Sequence, residues 1–400
     1  SSDVCSSDLM AFVSSSKNLM LKSGCFIRAF SAAKPQIIVE RTKNPKPKVA
    51  NEKLGFGKYM SDHMLEIDFD GKQWGTPRIV PYHNLCLDPA TSVFHYATEC
   101  FEGMKAYRDS EGHVRMFRPR ENVLRLNSSI ERLCLPPLDP EVHLEAIKEL
   151  VRVDKDWIPT GKGYSLYIRP TCIATDAFLG VHPSKTCKVY TICSPSGPYY
   201  ATGFKPIKLV ADEDHVRAWP GGHGAYKLGA NYAPTILPAH QWEQKGYSQL
   251  LGVGPNGIIM EGGAMNIFFL WINEQGEKEL ITCPLNGLIL PGITRKSIVQ
   301  LTRKWNEFKV SEREFTIYDI EKAAAQNRLL ECFTSGTAAV CGSINGILYN
   351  GKMIDIPLDP KDPSKPAGPV TQRVYDELTG IQLGALPNPF PEDPWSIIVE

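Results

Sequence analysis

The sequence predicts an α+β protein built as two mixed α/β domains, and three observations carry that expectation. At 400 residues the chain exceeds what one ordinary core holds. Strand-like runs recur through both halves, with only occasional helical stretches between them. These stretches do not follow the strict strand–helix alternation of a doubly wound sheet. With 42% hydrophobic and 22% charged residues, the composition is that of an ordinary globular chain.

Residues 2–9, SDVCSSDL, match one reading frame of a common sequencing adapter, so residues 1–9 read as foreign and Met10 as the start. From Met10 to Val39 there is no Asp or Glu, while Lys17, Lys22, Arg28 and Lys34 are spread among serines and apolar residues. That composition reads as a mitochondrial transit peptide over residues 10–30, with the matrix as the destination; an incidental basic tail on a cytoplasmic protein is the alternative. The stretch 31–54 contains a Pro- and Lys-rich run and reads as an N-terminal extension or linker. A small N-terminal domain, 55–195, opens with the strand HMLEIDF (63–69), turned by Asp70-Gly71, and continues with VRMF (114–117). Pro119 opens a helix, and Asp139 caps a second with Pro140 at its first position. Strands YSLYIRP (164–170) and KVYTICS (188–194) close this half.

Residues 196–206, within PSGPYYATGFKP, read as an interdomain loop. The larger C-terminal domain, 207–400, starts with the strand IKLVAD (207–212). QLLGVG, GIIMEGGAMNIFFLWI and ELITC follow as strands, and a helix starts near Thr294. ECFTSGTAAV is a strand running into a turn, Asn350-Gly351 marks a hairpin, and a last helix spans about 369–380.

Several function classes are disfavoured at once. Lys+Arg and Asp+Glu are both 44, so no net charge attracts nucleic acid or an anionic membrane. No apolar run approaches the roughly 18–20 residues of a membrane span. Neither GxGxxG nor GxxxxGK[ST] occurs, which argues against dinucleotide and P-loop sites. Eleven cysteines, odd in number and without a CxxC pair, read as inert thiols in a reducing compartment and not as a zinc site.

The chemistry begins in HGAYKLGANY, where Lys227 is the one formal charge between Arg217 and Glu243. A lysine held among small and aromatic residues suits a Schiff-base role, because burial makes its neutral amine available. Its small neighbours read as clearance for a bulky group. Glu261 begins EGGAMNIFF, a carboxylate in an apolar strand that must face a cation, and a protonated pyridine nitrogen would serve. LILPGITRKS (288–297) brings backbone N–H groups to a helix start, a natural phosphate cradle, and TSGTAA (334–339) offers a second set.

The ordered series E-x-G-x-x-N-I-F from Glu261, L-x-T at 280–282 and L-x-G-I-x-R at 290–295 resembles the signature of class-IV aminotransferases, fold-type IV pyridoxal phosphate enzymes. HGAYKLGANY, FEGMKAY (101–107) and LYIRP (166–170) narrow the resemblance to branched-chain amino acid aminotransferases of the large eukaryotic type, over about residues 55–395. The resemblance implies the D-amino acid aminotransferase-like architecture and pyridoxal 5′-phosphate as cofactor, joined to Lys227. It puts Glu261 at the pyridine nitrogen, Tyr232 at the phenolic oxygen, and Arg125, Ile293, Thr294 and Thr337 at the phosphate. By itself Arg125, in RENVLRLNSS, reads as a solvated helix residue. Phe56, Tyr96, Phe101 and Tyr167 would wall the substrate pocket, and Arg169 would take the distal carboxylate of glutamate. The amides of Thr337 and Ala338 would take the α-carboxylate. Val181, in FLGVHP, matches a segment that reaches a neighbouring subunit, so a homodimer is implied. A D-amino acid aminotransferase, an aminodeoxychorismate lyase or an inactive paralogue acting as a binding protein are the competing readings. The mammalian members' CxxC is replaced here by Ala339 and Gly342, and Cys341 lies off its register as a packed strand residue.

Overall fold

The computed structural model describes residues 35–198, 205–362 and 364–400. The expected adapter-derived segment and transit peptide, and residues 199–204 of the interdomain loop, lie outside the described residues. Residues 35–400 form one compact unit containing two nine-stranded sheets.

The first sheet takes β1 (Ile38–Val39), β2 (His63–Phe69), β3 (Arg78–Pro81), β4 (Glu99–Phe101), β5 (Met104–Arg108), β6 (Val114–Phe117), β7 (Ser165–Ala174) and β8 (Cys187–Ser196). Its order is β1-β3-β2-β8-β7-β5-β6, with β4 also on β7. The helices here are α1 (Ser92–Tyr96), α2 (Pro119–Arg132) and α3 (Pro140–Val153). Asp139 caps α3 as its position suggests, accepting from the amides of Glu141 and Val142. Residues 35–54 are more than a tether. They add β1 in parallel to β3, and the Lys46 amide donates to Asp62 Oδ1 at 2.9 Å.

The second sheet takes β9 (Ile207–Asp212), β10 (Gln249–Val253), β11 (Ile259–Gly262), β12 (Asn266–Ile272), β13 (Lys278–Thr282), β14 (Lys309–Glu312), β15 (Leu329–Gly336), β16 (Val340–Tyr349) and β17 (Lys352–Asp355). Its order is β11-β10-β9-β16-β15-β12-β13-β14, with β17 on β16. The apolar run 257–272 is therefore two strands: Gly263, at φ 58°, turns the chain so that Gly262 bridges Met265. Asn350 and Gly351, at φ 46° and 77°, make the expected hairpin. Helices α4 (Ile236–Glu243), α5 (Ile293–Trp305), α6 (Ile317–Ala325) and α7 (Pro369–Gln382) flank this half. Helix α6 is an element beyond those expected from the sequence, and Thr316 and Asp319 cap it reciprocally. The chain's end also departs from the expected C-terminal domain, because β18 (Ser396–Ile398) pairs with β6 of the first sheet.

Alternating strand faces and helix stripes make three apolar clusters. One lies between the first sheet and α2 and α3, and one on the second sheet against α6. The third mixes Tyr107 and Phe117 of the first sheet with Phe268 and Phe333 of the second and the inner faces of α5 and α7. Cys341 is fully buried there, as a packed strand residue should be.

Candidate active site

A missing hydrogen bond shapes the site. Pro170, in the middle of β7, has no N–H, so the ladder facing it can form one bond only, from the Glu102 amide to the Pro170 carbonyl at 2.8 Å. There the neighbouring strand breaks into β4 and β5, with Glu102 and Gly103 in the gap. Gly103 cannot be larger, since a Cβ would come 1.9 Å from Tyr167 Oη.

Lys227 reaches this break from the second half of the chain. Its carbonyl accepts from the Phe101 amide at 3.0 Å, and Leu228 bridges Cys100 of β4. Its own amide donates to Ser129 Oγ of α2 at 3.0 Å. The side chain of Asn231 holds the loop by donating to the carbonyls of His223 and Tyr226. Lys227 is half-buried, and Nζ lies 3.1 Å from Tyr232 Oη and 4.8 Å from the centre of the Phe101 ring. The neighbouring glycines also answer close packing. A Cβ on Gly229 would strike the Glu99 carboxylate, and one on Gly224 would lie 2.8 Å from the Gly287 carbonyl.

Glu261 is 3% exposed, and the cation it faces is Arg217, with Nη1 2.8 Å from Oε1. Oε2 accepts from the Leu290 amide at 3.1 Å and from Asn266 Nδ2 at 3.3 Å. Burial pushes the Glu261 carboxyl above its ordinary range, although Arg217 and the Leu290 amide pull it down. The Arg217 guanidinium lies 5.8 Å from the centre of the Tyr232 ring, which links the carboxylate to the lysine. Nε and Nη2 of Arg217 are buried and have no hydrogen-bond partner among the described residues.

Asn266 continues from Glu261 to the helix start by donating to the Leu290 carbonyl at 2.9 Å. Beyond it Gly292 caps α5 with no side-chain cap, leaving the first-turn amides at Ile293 and Thr294 open to a ligand. Gly292 is tight against Asn266, whose Oδ1 would be 2.0 Å from any Cβ there. Arg125 reaches the same turn from α2, and it is mostly buried, with 10% of its side chain exposed, not solvated. Its Nη1 donates to the Pro291 carbonyl at 2.9 Å, and Nε and Nη2 fork onto Glu102 at 2.6 and 2.9 Å. Burial works against ionisation of Glu102, yet the Arg125 guanidinium outweighs it and holds the carboxyl below its usual range. Opposite Asn266 in the sheet is Ser335, with a buried hydroxyl lacking a partner among the described residues, and the half-buried turn of Thr337 and Ala338 follows.

The aromatic wall forms around Arg169. Its guanidinium stands 4.8 Å from the centre of Phe101 and 5.2 Å from that of Tyr167, and Nη2 donates to Tyr167 Oη at 3.2 Å. Phe56 packs edge-on to Tyr167 at 4.8 Å, and Phe101 lies 5.2 Å from Tyr232. Arg169 is thus a partly buried pocket residue and not the surface strand residue it resembles in isolation. Tyr96 and Val181 stand apart from this cluster. Tyr96 Oη bonds to the Leu179 carbonyl, and Val181, on the same loop, is 84% exposed.

Sequence reasoning missed Glu102 and Arg217 as site residues. Glu102 carried the same signal as Glu261, an acid in an apolar stretch, and Arg217 marked the edge of the charge-free segment around Lys227.

Two mixed sheets, a lysine and tyrosine at the break between β4 and β5, and an uncapped helix start beside a buried carboxylate together define a class. The family model for amino-transferase class IV matches residues 99–347. The branched-chain-amino-acid aminotransferase of Dictyostelium discoideum is 50% identical over 385 residues, 94% of this chain and all of that protein. The mitochondrial form from Mus musculus is 43% identical, covering 90% of this chain and 91% of its own, and a cytosolic form from Saccharomyces cerevisiae is 48% identical, covering 86% and 92%. Among solved structures, that of the Escherichia coli branched-chain amino acid aminotransferase superposes with a TM-score of 0.67 at 25% identity, over 85% of this chain and 99% of that one. The chain belongs to the branched-chain-amino-acid aminotransferase family of class IV.

Proposed function

We propose that this protein transfers the amino group of L-leucine, L-isoleucine and L-valine to 2-oxoglutarate, giving branched 2-oxo acids and L-glutamate. Pyridoxal 5′-phosphate is the cofactor, and the unpaired buried donors fit it: Nε and Nη2 of Arg217, Ser335 Oγ and the open amides of α5. When bound at Lys227 it supplies an electron sink for the α-carbon. Arg125, Ile293, Thr294 and Thr337 would hold its phosphate, Tyr232 its phenolic oxygen and Glu261 its ring nitrogen.

The residues of the chain do the rest. Lys227 Nζ takes the α-proton of the amino acid and returns it, oriented by Tyr232 Oη at 3.1 Å. Phe56, Phe101 and Tyr167 accept a branched aliphatic side chain, and Arg169 takes the distal carboxylate of glutamate through charge-assisted bonds. The amides of Thr337 and Ala338 receive the α-carboxylate. The exposed Val181 loop supports a homodimer in which this loop meets the neighbouring pocket, and sedimentation of the purified chain tests it. The acid-free, basic stretch 10–30 supports import into the mitochondrial matrix. The observation that carries the catalytic reading is the Lys227–Tyr232 contact at the strand break, in reach of the Arg217–Glu261 pair. A panel of amino donors with 2-oxoglutarate tests it. Leucine, isoleucine and valine should far outpace alanine, aspartate and D-amino acids, and a preference for D-alanine would refute the assignment.

A further inference from the structure

Lys105 has no part in the arrangement above, yet its position is costly. It lies on β5 between Met104 and Ala106, whose side chains enter the first apolar cluster. Strand alternation therefore turns Lys105 to the opposite face, with Tyr107, where it is 8% exposed. Burial brings its ammonium down to about 8. A leucine or methionine would fill such a place without desolvating a charge.

The ammonium has a specific target. Nζ donates to the Ala338 carbonyl at 2.7 Å, a charge-assisted length, across 233 positions of sequence. Ala338 lies in the turn between β15 and β16, and this contact fastens that turn of the second sheet to a strand of the first. Peptide groups are planar, so fixing the Ala338 carbonyl fixes the direction of the Ala339 amide and, through the two soft dihedrals of Ala338, restrains the amides of Ala338 and Thr337 before it.

We propose that Lys105 is a positioning residue for the substrate α-carboxylate, pinning the Ala338 carbonyl so that the turn's amides stay aimed and adding a fixed positive charge behind them. The inference rests on the reading that the amides of Thr337 and Ala338 take that carboxylate. Because donor and acceptor share this group, Lys105 serves both half-reactions alike, unlike Arg169.

The test uses the holoenzyme and two probes read by titration of the cofactor's visible band: 4-methylpentanoate, which has the carboxylate and no amine, and 3-methylbutylamine, which has the reverse. Lys105→Met should weaken the carboxylate about ten-fold and leave the amine within about two-fold. KM for leucine and glutamate should rise by the same factor with kcat nearly unchanged, and Lys105→Arg should restore most of the loss. Lys105→Gln, which keeps a donor but no charge, is measured beside them and should show the same selectivity if Lys105→Met does not fold. Normal carboxylate binding in both neutral variants, or equal weakening of both probes, would overturn the proposal. Ala338→Pro, which removes one of the turn's amide donors, separates the two levels. If it alone loses the carboxylate, the role of Lys105 falls and the reading of the turn stands. If it binds the carboxylate normally, the reading of the turn itself falls, and the role of Lys105 with it.

Discussion

Two buried carboxylates each face an arginine, and the two pairs are built differently. Glu102 and Arg125 form a closed pair. Both Glu102 oxygens accept from the guanidinium, Asn122 and the Gly103 amide add to Oε2, and the third nitrogen of Arg125 is satisfied by the Pro291 carbonyl. Glu261 and Arg217 form an open pair, joined through one nitrogen at 2.8 Å, with the other two nitrogens of Arg217 lacking partners among the described residues. The same chemistry thus yields opposite electrostatics: the closed pair holds its carboxyl low, whereas burial keeps the open one high. A satisfied pair fastens α2 to the strand break. An unsatisfied one retains hydrogen-bonding capacity for a ligand, so completeness of a buried pair separates scaffold from site.

The sharpest way to break this contrast is Glu102→Ala. It strands a buried guanidinium and should lower stability by about 3–5 kcal/mol, seen as a fall in the urea midpoint of the apoprotein. A midpoint unchanged within error would remove the scaffold role. Glu261→Gln should weigh on turnover, lowering it roughly 10²–10³-fold, and cost the apoprotein less stability than Glu102→Ala, because glutamine keeps an oxygen facing Arg217. If turnover survived and stability collapsed, the two pairs would have been assigned the wrong way round. Arg169→Ala has a smaller, selective effect: single-turnover rates with glutamate should drop about ten-fold more than those with leucine, and equal losses would contradict its role.

The smallest effect is in pH. Glu102, with a lowered folded pKa, contributes stability that is present above its unfolded value of about 4.3 and lost as pH falls through the folded value. Glu261, with a raised one, makes stability decline as pH rises from about 4.3 towards its folded value. Glu102→Gln should therefore flatten the loss of apoprotein stability in acid, and Glu261→Gln should remove a decline in stability as pH rises above about 4.3. Identical pH profiles for the two variants would show that the pairs do not differ.

The contrast also marks what could be read from residues alone. Lys227 and Glu261 were legible because each is a charge in apolar or small surroundings, a pattern that burial makes costly and hence informative. The α3 cap at Asp139 and the hairpin at Asn350-Gly351 were legible because they are local, set by dihedral and capping preferences within a few residues. Arg125 was not, since its carboxylate partner lies 23 positions away, and Arg169 was not, since its pocket is closed by the ring of Phe101 from another strand although Tyr167 shares its face. The return of β18 to the first sheet is likewise a long-range pairing with no local signal. The glycines around Lys227 were legible as necessary, while the close approaches of Glu99 and Gly287 to them come from distant chain segments and were not.

Lys227 is the residue proposed to complete the open side of the site. The direct measurement is Lys227→Ala, purified with pyridoxal 5′-phosphate and followed by visible absorbance and leucine–2-oxoglutarate turnover, with circular dichroism to confirm folding. The prediction is a folded protein without the lysine-bound absorption band and without turnover. A folded variant that kept both the band and normal turnover would contradict it.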